Sequence, residues 1–441
     1  MAMEKQLNSS VNKLSDTYKM LVVQVDEVNE RWEYTLDFIF GLRGIEFQLT
    51  DSTTEFDAIT SPKISFSKWN SGQVLNESGL TQMKIGKSIW KGIECLAFDG
   101  EPDPISSIFY VLTRMEEYQP VVLDQHGRFM GNESVQFKNG WLQQCICDRW
   151  ALAIIAEIER EIQQPLDSKI QIGQLIPSFD IDNTYAYLLK RGKRKLLSMA
   201  RDVLQGNFKR LHERHRVLAR KKKDPYDTFE WIGSVAQKFK VRIFWLVGDY
   251  GNLDNNISRH QIAHQNLIRK MSEKAEFGIH PSYVSNEKSH LLSEEKASLE
   301  ETLQRKVQIS RQHFLKLKFP TTFQHLINEG IQEDFTMGFA DEIGFRNGTA
   351  HKFPWFDLSV NKKTDLQIRP FAYMDGTLLE YKKYSIAESK SKIQDLFQEV
   401  QQYGGDFIFL WHNETIGDYG KWKGWKNVLE YTLTLKNDSN L

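Results

Sequence analysis

The sequence predicts a two-domain α/β chain whose C-terminal part is built on a parallel sheet or barrel. Three observations carry this reading. At 441 residues the chain exceeds what one hydrophobic core usually supports, so two domains are the default. From Lys169 onward, apolar strand-like runs alternate with helix-like stretches, the rhythm of a parallel sheet with both faces covered. Several of those runs end in a carboxylate or an imidazole, and in such folds the chemistry gathers at the C-terminal ends of the strands.

Taken in order, residues 1–20 are polar and read as a flexible tail. Met20-Leu21-Val22-Val23-Gln24-Val25 reads as a buried strand, Glu27 to Leu42 as a helix, and Ile45 to Thr50 as a half-exposed strand by its alternation. Asn70 to Ile93 suggests short strands and turns. Pro104 to Tyr118 reads as a helix with an aromatic face ending in Glu116-Glu117, and Asp148 to Ile162 as a second, better helix. Gln163-Gln164-Pro165 breaks it, which sets an N-terminal α/β domain at 21–166 and the larger domain at 167–441. Strand candidates in the latter are Ile172–Phe179, Val241–Val247, Ala275–Ile279, Phe314–Leu317, Asp334–Met337, Ile368–Met374 and Asp406–Trp411. Helical stretches between them include Ile257–Lys274, part of Ser293–Leu315, and Ser385–Tyr403.

Composition narrows the class. Hydrophobic content of 40% and charged content of 26% are those of an ordinary globular chain. A formal net charge of -1 gives no global attraction to nucleic acid or to a membrane. No stretch approaches about 18 uninterrupted apolar residues, so no transmembrane segment is expected, and the first residues lack the apolar core of a secretory signal. Cys95, Cys145 and Cys147 make no disulfide framework. Cys145-Ile146-Cys147 lacks a second pair for metal and reads as packing thiols. A reducing cytoplasm is the expected compartment.

One stretch departs from this balance. Residues 190–223 carry fourteen Lys and Arg against Asp202 and Glu213. They read either as a solvated basic helical excursion or as a contact for an anionic partner, such as a phosphorylated sugar carrier or a membrane surface. Phe208 stands there without the regular aromatics that base stacking needs, so no nucleic acid is expected.

The chemistry-bearing residues sit at strand ends. Ser178-Phe179-Asp180-Ile181-Asp182-Asn183 places two carboxylates two residues apart where a buried strand finishes, and Asp is a poor strand residue that is costly to bury unpaired. His280 closes Phe277-Gly278-Ile279, and His412 closes Phe407-Ile408-Phe409-Leu410-Trp411. Arg311 and His313 precede Phe314-Leu315, and Asp334 opens Phe335-Thr336-Met337. Together they suit metal-assisted hydrolysis: Asp and His offer O and N donors to a divalent ion, a carboxylate can take a proton from water, and an imidazole can give one to the leaving group. There is no Gly-x-Ser-x-Gly elbow, phosphate-cradling loop or Gly-x-Gly-x-x-Gly turn. Asp249 and Asp254, after another apolar run, are spare ligand candidates. Arg346, within Gly344-Phe345-Arg346-Asn347-Gly348, is either a substrate clamp or a loop salt-bridge partner. Trp355, Trp411, Trp422 and Trp425 either stack on a sugar or pack, and of these Trp411 is carried forward as a substrate-binding candidate.

The order of these motifs resembles the polysaccharide deacetylases: Ser-Phe-Asp-x-Asp, a strand-end His, Arg before a Gly-Ile-x-x-Asp-x-Thr segment, and Leu410-Trp411-His412 as the final Leu-x-His. The resemblance runs from about Lys169 to the C-terminus. It implies a distorted (β/α)7-type barrel that removes acetyl groups from an N-acetylated sugar or glycan precursor with a divalent metal, zinc before others. By position it implies Asp180 as base, Asp182 and His280 as metal ligands, Arg311 as the residue tuning the base, Asp334 as the carboxylate orienting the acid, and His412 as that acid. Val284 stands where the family has its second ligand His, a place that His313 or His290 could fill. Some relatives of this fold work on C–N bonds without metal, with a carboxylate and His alone, so a metal-independent hydrolase is an alternative. A non-catalytic sugar-binding module in surface-glycan synthesis is another. Residues before the barrel, including Phe109 to Tyr118, resemble a poorly described domain that precedes some such barrels and implies no activity.

Overall fold

The computed structural model describes residues 20–77, 79–80, 82–190 and 192–435, and contacts divide the chain into two units. One comprises residues 1–110 and 148–171, the other 111–147 and 172–441. Apart from Met20, the flexible tail expected at 1–20 lies outside the described residues. The stretch 111–147, drawn from sequence with the N-terminal domain, clusters with the C-terminal residues instead.

In the first unit, β1 (Leu21–Gln24) lies between β2 (Phe47–Thr50) and β3 (Lys63–Ser65), all parallel. Leu21, Val22 and Val23 are buried, as the central strand of a covered sheet requires. The helix Glu30–Ile39 opens on Asn29, whose side chain accepts from the Arg31 and Trp32 amides, a preferred N-cap arrangement. A separate antiparallel ribbon follows: β4 (Ile85–Trp90), β5 (Ile93–Phe98) and the short β6 (Glu101–Pro102). Arg43 and Asp148 form a buried ion pair at 2.8 Å.

The second unit is organised by a nine-stranded sheet. Its members are β7 (Ile172–Ile181), β8 (Arg242–Trp245), β9 (Glu276–Ile279), β10 (Ile309–Ser310), β11 (Glu333–Asp334), β12 (Phe353–Asp357), β13 (Lys362–Ile368), β14 (Tyr373–Met374) and β15 (Gly405–His412). Their spatial order is β12-β13-β11-β10-β9-β8-β7-β15-β14. Every neighbour pair is parallel except β12 with β13. The α/β class with a large parallel sheet is therefore observed. Among the described residues no pairing joins the outer strands β12 and β14, so the sheet stays open at that seam.

One face of the sheet packs on itself through Ile176, Phe244, Ile309, Phe335, Phe371, Ile408 and Leu410. Gly278 is needed there: a Cβ on it would lie 2.6 Å from the Phe244 ring. Two segments differ from the sequence reading. Phe314–Leu317 is no strand; β10 lies earlier, and Phe314 and Leu315 turn the chain with φ of 60° and 54°. Periodicity alone does not separate a short apolar run in a buried turn from a strand. The β12–β13 hairpin was not expected, because exposed Lys362 and Lys363 make half of it look like a loop.

Candidate active site

The site grows from the alternation of β7 and β15. Side chains two apart on a strand share a face, so Asp180 points with Ser178 while Phe179 and Ile181 point away. In the register of the pair, His412 lies opposite Asp180 and Trp411 opposite Phe179. That register sets a carboxylate and an imidazole side by side at the strand ends. They line a cavity of about 210 Å3 together with Asp182, His280, His313 and Asp375.

Asp180 is nearly inaccessible at 2% exposure, and Arg311 compensates its charge. The guanidinium donates from Nη1 to Asp180 Oδ1 at 2.8 Å, from Nη2 to Ser178 Oγ at 2.8 Å and from Nε to the Phe335 carbonyl at 2.9 Å. It also rests 4.4 Å from the Phe244 ring centroid. A fixed fork of donors and an aromatic bed pin one oxygen of the carboxylate. The other, Oδ2, stays toward the cavity, 3.7 Å from His280 Nε2.

Asp182 is the hub of a donor cluster. Its Oδ1 lies 3.1 Å from His280 Nε2, and its Oδ2 lies 3.4 Å from His313 Nε2 and 3.6 Å from His412 Nε2. One ligand atom from each of Asp182, His280 and His313 falls within 4.8 Å of the others. Both imidazoles are anchored by their far nitrogens: His280 Nδ1 donates to the Arg311 carbonyl at 2.6 Å, and His313 Nδ1 to Asp254 Oδ1 at 2.8 Å. That leaves each Nε2 turned toward Asp182, the nitrogen that a metal-binding histidine presents once it is neutral. Asp182 Oδ1 is buried without a hydrogen-bond donor. Two inward imidazole nitrogens and an orphaned carboxylate oxygen are a donor set that a divalent cation would satisfy.

With no ion present, the cluster balances its charges internally. Burial opposes the charge of Asp182, but His313 and His412 outweigh it and hold the carboxyl well below its usual range. Burial likewise opposes a charged His313, yet Asp182 and Asp254 push that imidazole up to about 9. His412 is raised well above its ordinary value against its burial, chiefly by Asp375. Asp375 Oδ1 accepts from His412 Nδ1 at 2.8 Å, and Oδ2 accepts from the His412 amide at 2.9 Å. Thr415 Oγ1 donates to Oδ2 at 2.6 Å. Across the mouth Glu414 is half-buried, and burial with the Asp182 charge raises its carboxyl to about 7.

Comparisons with known proteins reach only part of this. A family model described as "Family of unknown function (DUF7033)" matches residues 21–163. No curated protein matches the chain. Among solved structures, one described as a "putative polysaccharide deacetylase from Mycobacterium smegmatis" superposes at a TM-score of 0.37 and 12% identity, covering 61% of this chain and 90% of its own. "Puue Allantoinase" superposes at 0.35 and 10% identity, covering 60% and 84%.

Three residues that the sequence placed at the site stand elsewhere. Asp334 does not touch His412: it accepts from Ser310 Oγ at 2.7 Å and from the Thr336 amide at 2.8 Å. Arg346 is no clamp but a buried salt-bridge partner, bonded to Glu117 at 3.0 Å and to the Gly338 carbonyl at 3.0 Å. Trp411 is fully buried on the opposite face from His412, while Trp422 lines the cavity. Of the other candidates, Asp254 stands behind His313, Asp249 is exposed, and His290 is exposed at the start of the helix Ser289–Leu303. Val284 is also exposed. Sequence reasoning missed Asp375 and Glu414. Asp375 directly follows the expected strand Ile368–Met374, so the strand-end rule that found Asp180 would have found it.

Glu295 supports the site from below and yields a pH prediction. On the helix Ser289–Leu303 it accepts from the Ser282 amide at 2.9 Å and Ser282 Oγ at 2.6 Å, clamping the loop after His280. Burial raises its carboxyl from 4.5 to about 7. Below 4.5 the group is protonated in both states. As pH rises from there to about 7 the unfolded chain ionises first, so stability falls by up to about 3 kcal/mol and then levels. Glu295→Gln mimics the neutral acid, so urea unfolding at pH 5 and pH 7.5 should differ less in the variant by about 2–3 kcal/mol. An unchanged difference would count against the assignment.

Proposed function

We propose that the chain hydrolyses the amide of an N-acetylated sugar or glycan precursor with the help of a divalent metal, zinc before others. The observation that carries this is the convergence on one cleft of an Asp-His-His donor set, a charge-compensated carboxylate and a carboxylate-backed imidazole. Asp182, His280 and His313 would hold the ion. When bound, such an ion polarises an amide carbonyl and lowers the pKa of water.

The chain's own residues do the proton work. Asp180 takes a proton from the attacking water on Oδ2, while Arg311 keeps Oδ1 occupied and the carboxylate from turning. His412, protonated on Nε2 because Asp375 holds Nδ1–H, delivers that proton to the departing nitrogen. The amide C–N bond breaks, the acyl carbon keeps the water oxygen as acetate, and the sugar leaves as an amine. Trp422 and Met374 give the cleft an apolar wall on which a sugar face can rest. A cytoplasmic setting is part of the proposal, supported by the buried thiols of Cys95, Cys145 and Cys147, none of which is in a disulfide.

The test is acetate release from N-acetylhexosamines and their nucleotide- or lipid-linked forms, with zinc added and with chelator. Release that needs the metal and falls by about 10²–10⁴ in Asp180→Asn fits a base in the proton transfer. Undiminished turnover in chelator would favour the metal-independent hydrolase. No release from any substrate would leave the sugar-binding reading.

A further inference from the structure

The hairpin of helices Gly192–Leu204 and Phe208–Leu218 buries Val217 but turns most of its described apolar side chains outward. Its interior holds charge: Asp202 is buried and accepts from Arg214 at 2.6 Å, and Arg214 also donates to Ser198 Oγ at 2.6 Å. Its exterior holds apolar side chains, with Leu196 67%, Val203 53%, Leu204 87% and Phe208 68% exposed. Leu196, Met199 and Val203 follow i, i+3, i+7 and form one stripe, with Leu204 and Phe208 at the tip. Single exposed apolar residues are ordinary, but a continuous row of them marks a surface that something covers.

Charge identifies what covers it. Residues 190–223 carry a formal +12, from fourteen Lys and Arg against two carboxylates, in a chain whose total is -1. Asp202 is engaged by Arg214 and approached by Arg210 at 3.6 Å, and Glu213 pairs with Lys222. Lys209, Arg216, Arg220 and Lys221 are exposed. A second copy would bring a second +12 against the first, which is repulsive. An anionic bilayer takes both features at once: apolar side chains enter the boundary between headgroups and acyl chains, and Lys and Arg meet lipid phosphates. Among the described residues no helix is long and apolar enough to cross a membrane, so the contact is with the surface.

We propose that this hairpin docks the protein on an anionic membrane surface, with Leu196, Met199, Val203 and Phe208 inserted and the basic residues held on the headgroups. The inference is independent of the chemistry proposed for the cleft.

Co-sedimentation of the full chain with vesicles tests it. The protein should bind vesicles of phosphatidylcholine mixed with phosphatidylglycerol and not phosphatidylcholine alone, and should be released at about 1 M salt, where the screening length is about 3 Å. Replacing Lys209, Arg216 and Lys221 together by Gln should weaken binding at least about tenfold. Leu196→Ser with Phe208→Ser should do the same, and all these positions are exposed, so thermal unfolding should be unchanged. Equal binding to both vesicle types, or to neither, overturns the proposal. So does a double Ser variant that binds like the parent, or a concentration-dependent dimer that the double Ser change dissolves.

Discussion

His412→Ala is expected to lower kcat for amide cleavage by about 10²–10⁴ with KM little changed, the size of a lost general acid. The imidazole ends β15 at the cavity, within reach of Asp375 and Asp182. Asp375→Ala removes the acceptor behind the ring and so frees His412 Nδ1 and the ring's charge at once. Its kcat should fall by about 10–100-fold, as for partners behind a ligand or catalytic His. The two should be separable by the pH profile. In Asp375→Ala the acid form of His412 is lost at lower pH than in the parent, because Asp375 is the chief group raising it. Activity in that variant should therefore drop as pH rises while the parent still works. A profile that merely scales down would argue that Asp375 acts through structure alone.

Metal stoichiometry should be the second large effect. Asp182→Ala and His313→Ala each remove one member of a three-residue donor set, so zinc retained through dialysis should fall from near one per chain to near none. Affinity should drop more than about 100-fold, since loss of a partner behind a ligand already costs about 10–100-fold. Asp254→Ala provides that milder comparison, because its carboxylate holds His313 Nδ1 at 2.8 Å. Plasma emission spectrometry on purified protein reads all three without an activity assay. Retention of stoichiometric metal in His313→Ala would remove His313 from the set.

How legible the site was depends on which physical rule each residue obeys. Asp180, Asp182, His280 and His412 could be picked out because a polar group at the end of an apolar run is costly and conspicuous in sequence. Asp334 and Asp375 obey the same rule equally well, and sequence cannot rank them. What ranks them is sheet order. Strand β14 lies beside β15, whereas four strands separate β11 from β15, so only Asp375 reaches His412. Trp411 failed for parity: it is adjacent to His412 in the chain and therefore on the other face. The turn at Phe314 and Leu315 shows a further limit. Positive φ at two bulky residues costs free energy and leaves no mark in an apolar sequence, yet it follows directly on His313 at the cavity.

The in-register pairing of Asp180 with His412 carries a consequence for how this chain can diversify. The separation of the two main-chain positions that carry these groups is fixed by the spacing of adjacent strands, about 4.8 Å, and by main-chain bonds that no side-chain replacement alters. Loops at the mouth, including the one bearing Trp422, can lengthen or change sequence without disturbing that spacing. A one-residue insertion or deletion within β15 has the opposite character, for it would exchange His412 for Trp411 or Asn413 on the cavity face. Substrate choice is therefore open to gradual drift, whereas the chemistry tolerates no shift in frame.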